Sequence, residues 1–340
     1  MTARAFIVGV SGLTITDAER AFLREADPFG LILFKRNIED PAQVSALTAS
    51  FRDILGRNAP VLIDQEGGRV QRMGPPHWPR YPAGAVYGRL FDENREKGLV
   101  AARLGARLIA SDLQAVGIDV DCLPLADIPV PGADLVIGDR AYGDTPGKVA
   151  AVAEAVAAGL LDGGVLPVLK HIPGHGRALA DSHLALPRVD TPRAVLEDTD
   201  FAAFRPLAGL PVGMTAHVVF EAIDPVRPAT TSAIMMRDVI RAWIGFDGLL
   251  MSDDISMEAL SGSLAERSRA SLAAGCDLVL HCNGRLDEMQ EIAADMPKLA
   301  GEAARRADRA LSLRRAPGAF DVTVARAQFA GMIGEQVPTV

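Results

Sequence analysis

The stretch VLPVLKHIPGHG, residues 165–176, decides the fold, because a short apolar strand runs directly into charged and imidazole side chains. Residues 165–169 are mainly Val and Leu, as in parallel strands that are buried on both faces. Lys170, His171 and His175 follow at once. Ionisable groups are costly to bury unless they are paired or serve chemistry, so the end of this strand is a candidate functional site.

The same pattern of a short apolar run followed by a longer amphipathic segment recurs along the chain. It predicts eight strands, at residues 5–10, 30–34, 60–63, 118–123, 165–169, 212–215, 248–251 and 277–281. Helical stretches separate them, with clear examples at residues 41–55, 95–116, 145–162, 232–243 and 263–274. Eight strands that alternate with helices predict a closed (β/α)8 barrel of the α/β, TIM type. We expect residues 1–340 to form a single such domain, with helices after His281 completing it.

An open, doubly wound parallel sheet is the competing architecture. Such a sheet usually carries a glycine-rich phosphate-binding loop after its first strand. The segment GVSG at residues 9–12 is too short for that loop, so the pattern favours the closed barrel.

The composition of the chain limits its partners and its location. The formal net charge of −8 repels a polyanion, so we expect no nucleic-acid partner. The 3 cysteines form no C-x-x-C pair, which argues against a disulfide framework or a zinc ribbon. The N-terminal apolar run is too short for a signal peptide, and no stretch approaches the ~20 apolar residues that span a bilayer. We therefore expect a cytoplasmic monomer without membrane contact.

Polar side chains cluster where the predicted strands end. Asp64 follows the third strand, His217 the sixth, and Asp253 and Asp254 the seventh. The carboxyl ends of barrel strands meet at one mouth, where substrates bind. Adjacent residues on a strand point in opposite directions, so one of the two aspartates can face the pocket. Asp253 is the candidate nucleophile, and we expect Asp254 to cap the following helix; the alternative is that both cap it.

Asp181, Ser182 and His183 lie in a polar stretch, residues 174–187, that is too long for a routine strand-to-helix turn. In an extended chain Asp181 and His183 project to the same side. The carboxylate can then orient the imidazole and raise its pKa towards that of a useful general acid. The alternative is a surface turn with an idle histidine.

Several further residues are candidates for binding a substrate. Asp64 can accept hydrogen bonds from paired hydroxyl groups, and Lys170 and His171 can hold such hydroxyls. Arg140 lies in a long segment that can reach over the barrel mouth, where its guanidinium donates a fork of hydrogen bonds. The alternatives are a core role for His171 and a salt bridge within the loop for Arg140.

The segment after the third strand carries two glycines and two arginines. The pair Gly67-Gly68 suits a close approach of the backbone to a ligand. Arg69 and Arg72 are three residues apart, so we expect them to be neighbours on a helical turn, as binding residues or as a surface ion pair.

Taken together, these segments resemble glycoside hydrolase family 3, and most of all its single-domain bacterial β-N-acetylhexosaminidases of peptidoglycan recycling. The resemblance rests on DQEGGRVQR at residues 64–72, GDR at 138–140, KHIPGHG at 170–176, DSH at 181–183, and FDG at 246–248 running into SDDISM at 252–257. These segments span most of the chain in the expected order, and their combination is specific. One departure is Ile172, where the family often has an aromatic residue.

The resemblance implies a role for each candidate. The nucleophile falls on Asp253, and the acid/base falls on His183 with Asp181 as its partner. The sugar-binding positions fall on Asp64, Arg72, Arg140, Lys170 and His171. The implied fold is a (β/α)8 barrel, and the implied chemistry needs neither a metal nor an organic cofactor.

The implied reaction is retaining hydrolysis of a terminal β-linked N-acetylglucosamine, in two steps through a covalent glycosyl-enzyme. The implied substrate is a small carbohydrate, N-acetylglucosamine linked to anhydro-muramic acid, with or without peptide. A neutral imidazole acid repels anions less than a carboxylate does, so phosphorolysis by phosphate at the same site is an alternative.

The sequence is also compatible with two other functions. A metal-dependent amidohydrolase on the same barrel would use ligand types that this sequence offers at His171, His175, Asp181, His183, His217 and Asp253. However, no H-x-H follows the first strand. A non-catalytic sugar-binding protein is the other alternative, and the presence of both Asp253 and His183 argues against it.

Overall fold

The structure is a computed structural model, and it describes residues 3–179, 182 and 185–334. Eight parallel strands, numbered here in chain order, form a closed barrel. They are β1 (Arg4–Val8), β2 (Pro28–Leu33), β3 (Val61–Ile63), β4 (Val120–Asp121), β5 (Leu166–Ile172), β6 (Val212–Thr215), β7 (Leu249–Asp254) and β8 (Leu278–His281). The predicted (β/α)8 barrel and its eight predicted strands are thereby confirmed.

Neighbouring barrel strands are consecutive in the chain, and β8 closes the ring against β1. In this closing pair Phe6 lies opposite Val279, and Val8 lies opposite His281. Because all eight strands are parallel, their carboxyl ends open on the same mouth. Residues that follow different strands are therefore brought together there.

Helices connect the strands and cover the outside of the barrel. They are α1 (Asp17–Ala26), α2 (Pro41–Leu55), α3 (Gly84–Glu93), α4 (Arg95–Gln114), α5 (Pro146–Asp162), α6 (Arg193–Asp198), a π-helix (Met235–Trp243), α7 (Leu264–Ala274), α8 (Leu286–Ala294), α9 (Gly301–Leu311) and α10 (Val322–Ile333). Capping residues fix several starts: Asp40 accepts a hydrogen bond from the Gln43 amide before α2, and Ser263 forms a capping box with Glu266 before α7. In the described parts of the chain, no helix combines the length and the apolar character that a bilayer crossing requires.

The core is mainly aliphatic, in keeping with an aromatic content of only 5%. Strand β2 is buried at every position, as expected for a parallel strand that is covered on both faces. At the amino-terminal ends of the strands, the chain around α9 is tied to the barrel by ion pairs. Arg306 Nη1 lies 3.0 Å from Asp277 Oδ1, and Arg314 Nη1 lies 2.7 Å from Asp119 Oδ2. These contacts hold the C-terminal helices against the barrel.

Two strands run further towards the mouth than predicted. β5 continues past Leu169 to Ile172, and β7 continues past Met251 to Asp254. Both extensions contain a shift of register against a neighbouring strand. The hydrophobic pattern ends each strand too early, because it assigns polar residues to loops even when their backbone stays in the sheet.

Candidate active site

A cavity of about 490 Å³ lies at the mouth of the barrel. Six of the predicted site residues line it, although they come from segments far apart in the chain. They are Asp64, Arg72, Arg140, Lys170, His171 and Asp253. The convergence predicted from the strand ends is thus present for these residues.

Lys170 is the centre of an ion cluster in one wall of the cavity. Its side chain is 2% exposed, and its Nζ lies 2.9 Å from Asp64 Oδ1 and 2.6 Å from Glu66 Oε1. Burial alone lowers the pKa of Lys170, but the two carboxylates outweigh it and raise that pKa above its ordinary value. The lysine is therefore a fixed cation, with one of its three N–H donors left for a ligand.

Each of the two carboxylates has a second cation. Arg72 Nη2 lies 3.0 Å from Asp64 Oδ2, and Arg140 binds both oxygens of Glu66, at 2.9 and 2.8 Å. Burial alone raises the pKa of both carboxylates. For Asp64 the charges of Lys170 and Arg72 outweigh burial, and for Glu66 those of Lys170 and Arg140 do. Both pKa values are held below their ordinary range, so both groups are anions at neutral pH.

The turn that presents this cluster is a hairpin and not the helical turn expected from the spacing of the two arginines. Residues 65–67 pair antiparallel with residues 70–71, and Arg69 lies between the two short strands. Gly67 has φ +94°, and a Cβ there would collide with the carbonyl of Pro82. The glycine therefore serves a close approach to the protein's own backbone, and not the approach to a ligand that we expected.

Arg69 and Arg140 hold the long segment after β4 against this hairpin. Arg69 Nη2 donates to the carbonyls of Leu135 and Val136, at 2.7 and 2.6 Å. The alternative partner of Arg140, an aspartate of its own loop, is not the one it takes, because its guanidinium faces Glu66. Glu66 was missed as a site residue, although it lies two residues after Asp64 and so on the same side of an extended chain.

Lys170 and His171 both line the cavity although they are consecutive residues of β5. A regular strand would send them to opposite faces. The register between β5 and β6 shifts between Leu169 and Ile172, and such irregularities re-aim side chains at the rims of barrels. The sequence pattern carries no sign of this shift.

Asp127 orients His171 and was also missed. It is fully buried after β4, and its Oδ2 lies 2.7 Å from His171 Nδ1. Asp127 Oδ1 accepts a hydrogen bond of 2.7 Å from the backbone amide of His175. Burial raises the pKa of Asp127, but the neighbouring His171 and His175 lower it to below its ordinary value. The position of Asp127 after an apolar run in LPLADIP, residues 123–129, is the one signal that the sequence offered.

Asp253 faces the cavity from β7, whereas the carboxylate of its neighbour Asp254 is held by hydrogen bonds from the protein backbone. Asp254 Oδ1 accepts from the amides of Ser256 and Cys282, at 3.0 and 3.2 Å. The prediction that Asp254 caps the following helix is wrong, because the residue before α7 that caps it is Ser263. Asp254 closes a turn instead and joins it to the end of β8.

The electrostatic surroundings keep Asp253 ionised. Burial alone raises its pKa, but interactions with His171 and His217 and a hydrogen bond from the Asp254 amide lower it below its ordinary value. Its half-buried carboxylate is thus an anion that can act as a nucleophile.

The imidazole of His217 has hydrogen-bond partners at both ring nitrogens and does not line the cavity. It is buried, its Nδ1 lies 2.7 Å from Thr230 Oγ1, and its Nε2 lies 3.0 Å from the carbonyl of Asp254. Both ring nitrogens are occupied, so the imidazole supports the turn beside Asp253 and has no nitrogen left for a ligand.

The predicted acid/base pair, His183 and Asp181, lies outside the described residues. Ser182 between them is described, and it lines the cavity. Among the residues that the structure describes, no group of three or more His, Cys, Asp or Glu side chains is arranged to hold a metal ion.

Comparison with known proteins places this site in a family. Residues 6–312 match the glycosyl hydrolase family 3 N-terminal domain. The β-hexosaminidase of Alkalilimnicola ehrlichii is 41% identical over 283 residues, covering 82% of this chain and 80% of that protein. The β-hexosaminidase of Chromobacterium violaceum is 38% identical over 314 residues, covering 91% of this chain and 87% of that protein.

A solved structure extends the likeness to the whole barrel. The crystal structure of NagZ from Neisseria gonorrhoeae in complex with N-trifluoroacetyl-D-glucosamine matches with a TM-score of 0.89 and 32% identity, covering 98% of this chain and 99% of that one. The family model, the identities and the shared barrel agree with the resemblance seen in the sequence. The chain therefore belongs to glycoside hydrolase family 3 and is a glycoside hydrolase of the β-hexosaminidase type.

Proposed function

We propose that this enzyme is a retaining β-N-acetylhexosaminidase that removes terminal β-linked N-acetylglucosamine from muropeptide fragments. The observation that carries the proposal is the placement of the Asp253 anion in the same cavity as the cluster of Lys170, Asp64 and Glu66. A nucleophilic carboxylate and a wall of fixed hydrogen-bonding groups are what a glycosidase needs on a sugar ring.

The ion cluster supplies the hydroxyl-binding wall. Lys170 keeps one N–H donor for a ligand, and the Asp64 carboxylate, which is engaged by two cations, has lone pairs left to accept from a hydroxyl. His171 is held at Nδ1 by Asp127, which leaves Nε2 for the cavity. A sugar with adjacent hydroxyls presents donors and acceptors in alternation, as this wall does. We assign Asp64, Arg72, Arg140, Lys170 and His171 to substrate binding.

The reaction then proceeds in two displacements. In the first, an Asp253 oxygen forms a bond to the anomeric carbon while the bond to the leaving oxygen breaks, and His183 gives that oxygen its proton. In the second, His183 takes a proton from water, whose oxygen displaces Asp253 from the anomeric carbon. Asp181 orients the imidazole and favours its charged form.

The identity of the sugar and the identity of the leaving group rest on different observations. The Neisseria gonorrhoeae relative binds N-trifluoroacetyl-D-glucosamine, which favours an N-acylated glucosamine in the cavity of this enzyme. The anhydro-muramic acid leaving group comes from the resemblance alone. We also propose that the enzyme acts in the reducing cytoplasm, because its three cysteines are buried and free. A monomer remains our expectation from the sequence.

Trapping the covalent intermediate tests this proposal. The enzyme is incubated with a fluorinated N-acetylglucosaminide inactivator, digested and analysed by mass spectrometry. We expect one sugar on the peptide that contains Asp253, and no label in the Asp253→Asn variant. A label on another residue, or turnover of an aryl N-acetylglucosaminide without any labelling, would contradict the mechanism.

A further inference from the structure

Ser182 is anchored to the barrel at two points. Its side chain is buried, and its Oγ lies 3.1 Å from Nε2 of His175. Its backbone carbonyl accepts a hydrogen bond of 3.3 Å from the amide of Ala259, in the loop after β7. One residue thus contacts the loop after β5 with its side chain and the loop after β7 with its backbone.

His175 is fixed in turn by the buried carboxylate of Asp127. The His175 amide donates to Asp127 Oδ1, while Asp127 Oδ2 holds His171. The two imidazoles meet edge to face, with centroids 5.7 Å apart. A chain of contacts therefore runs from the sugar-binding wall at His171, through Asp127 and His175, to Ser182.

The geometry of His175 leaves one nitrogen to account for. The residue is 4% exposed, and its buried Nδ1 has no hydrogen-bond partner among the described residues. Burial, with His171 nearby, lowers the pKa of His175 to about 4, so the ring is neutral near neutrality. Within the part of the chain that the structure describes, this buried neutral imidazole makes one side-chain hydrogen bond, to Ser182. A buried polar ring is expected to be held by its hydrogen bonds, so this contact defines the position of both residues.

We propose that His175 is a positioning residue for the general acid and that Ser182 is the anchor through which it acts. The inference rests on the proposed acid/base role of His183. Ser182 is covalently joined to both Asp181 and His183, so the loss of its two hydrogen bonds should disturb the link between the two proposed dyad residues. Asp127 ties this anchor to the residue that holds the sugar.

Positioning of this kind matters because proton transfer demands close geometry. The acid must lie within about 2.6–3.2 Å of the leaving oxygen, and a misplacement of ~1 Å can cost about 100-fold in rate. Losing the anchor should therefore act on the protonation of the leaving group and spare the attack by Asp253.

Two substitutions at His175 separate a lost contact from a damaged core. In His175→Gln the side-chain amide reaches the position of Nε2 and can keep the hydrogen bond to Ser182. In His175→Asn the amide is too short to reach Ser182 and occupies the position of Nδ1. Ser182→Ala removes the same contact from the other side. The matched control is Ser45→Ala on α2, where the half-buried Ser45 donates its hydroxyl to the Pro41 carbonyl of the same helix, far from the cavity. His183→Gln is the reference for losing the acid itself.

The measurement is kcat/KM on two substrates, the methyl and the 2,4-dinitrophenyl β-N-acetylglucosaminide, with thermal unfolding as a check of folding. We expect Ser182→Ala and His175→Asn to lose about 10- to 100-fold on the methyl glycoside, which needs protonation, and less than about threefold on the activated one. His175→Gln and Ser45→Ala should stay near wild type on both. The double variant Ser182→Ala/His175→Asn should lose no more than either single variant, because both remove one contact.

Equal losses on the two glycosides, or no loss, would overturn the positioning role. The role would also be overturned if His175→Gln, while still folded, lost as much kcat/KM on the methyl glycoside as His175→Asn does. If His183→Gln itself treats both substrates alike, the proposed function fails; if it discriminates between them while Ser182→Ala does not, only the anchor is wrong.

Discussion

Replacing Lys170 by Met removes the charge that two buried carboxylates share, while it keeps a side chain of similar length. Breaking a buried ion pair costs about 3–5 kcal/mol because the remaining charge stays buried. Here Asp64 retains Arg72 and Glu66 retains Arg140, so the lower end applies. We expect Lys170→Met to lower the free energy of unfolding at pH 7 by about 3 kcal/mol.

The pH dependence of this loss follows from the direction of the pKa shifts. Asp64 and Glu66 have pKa values held below the ordinary range, with the charge of Lys170 as the largest lowering cause for each. A carboxylate of this kind adds stability above its unfolded-state pKa of about 4 and loses it as the pH falls through the folded pKa. Without Lys170 the pKa values of Asp64 and Glu66 rise, so the variant has less of this stability to lose in acid. The difference in the free energy of unfolding between wild type and variant should therefore become smaller below about pH 4.

Urea unfolding, monitored by circular dichroism at neutral and acidic pH, measures this difference in the free energy of unfolding. Lys97→Met is the control, because Lys97 is 44% exposed and its nitrogen lies 3.9 Å from Glu93. That surface pair should contribute less than about 1 kcal/mol at any pH. The reasoning would be refuted if Lys170→Met lowered the free energy of unfolding by less than about 1 kcal/mol at neutral pH. It would also be refuted if the difference from wild type became larger in acid.

Three further predictions concern activity. Arg140→Lys keeps the charge but not the fork of hydrogen bonds to Glu66, so kcat/KM on an aryl N-acetylglucosaminide should fall about tenfold, and an unchanged value would contradict the assignment. Asp181→Asn should slow poor leaving groups more than activated aryl glycosides, and equal losses on both would contradict the dyad. Because the pKa of Asp253 is held below its ordinary value, kcat/KM should decrease in acid only below about pH 4. A decrease that begins near pH 6 would show that another group controls the acidic side of the pH profile.

The sequence predicted the fold well because parallel strands buried on both faces leave a strong signal. Short apolar runs mark all eight strands, and the bounds of α2 and β6 agree residue for residue with those predicted. The ends of β5 and β7 were missed for a physical reason. Lys170 and Asp253 are polar but remain in strand conformation at the mouth, and no hydrophobic pattern distinguishes that from a loop.

The site was predicted less completely than the fold. Strand ends and the family segments pointed to the residues that line the cavity, yet Glu66 and Asp127 were missed. Both act through partners far away in sequence, Arg140 and His171, and such pairing is not visible until the barrel brings the segments together. The same holds for Asp254, whose tie to the Cys282 amide depends on the neighbouring strand β8.

The order of the barrel strands has a consequence for how the enzyme is made. Asp64 and Glu66 follow β3, Lys170 belongs to β5 and Asp253 to β7, while the ring closes only when β8 reaches β1. A nascent chain that emerges from the ribosome therefore holds no complete hydrolytic centre until β8, residues 278–281, has been synthesised. A fragment ending after β5 would carry Lys170 with its two carboxylates but no nucleophile. Turnover should accordingly begin only after β8 has emerged and paired with β1.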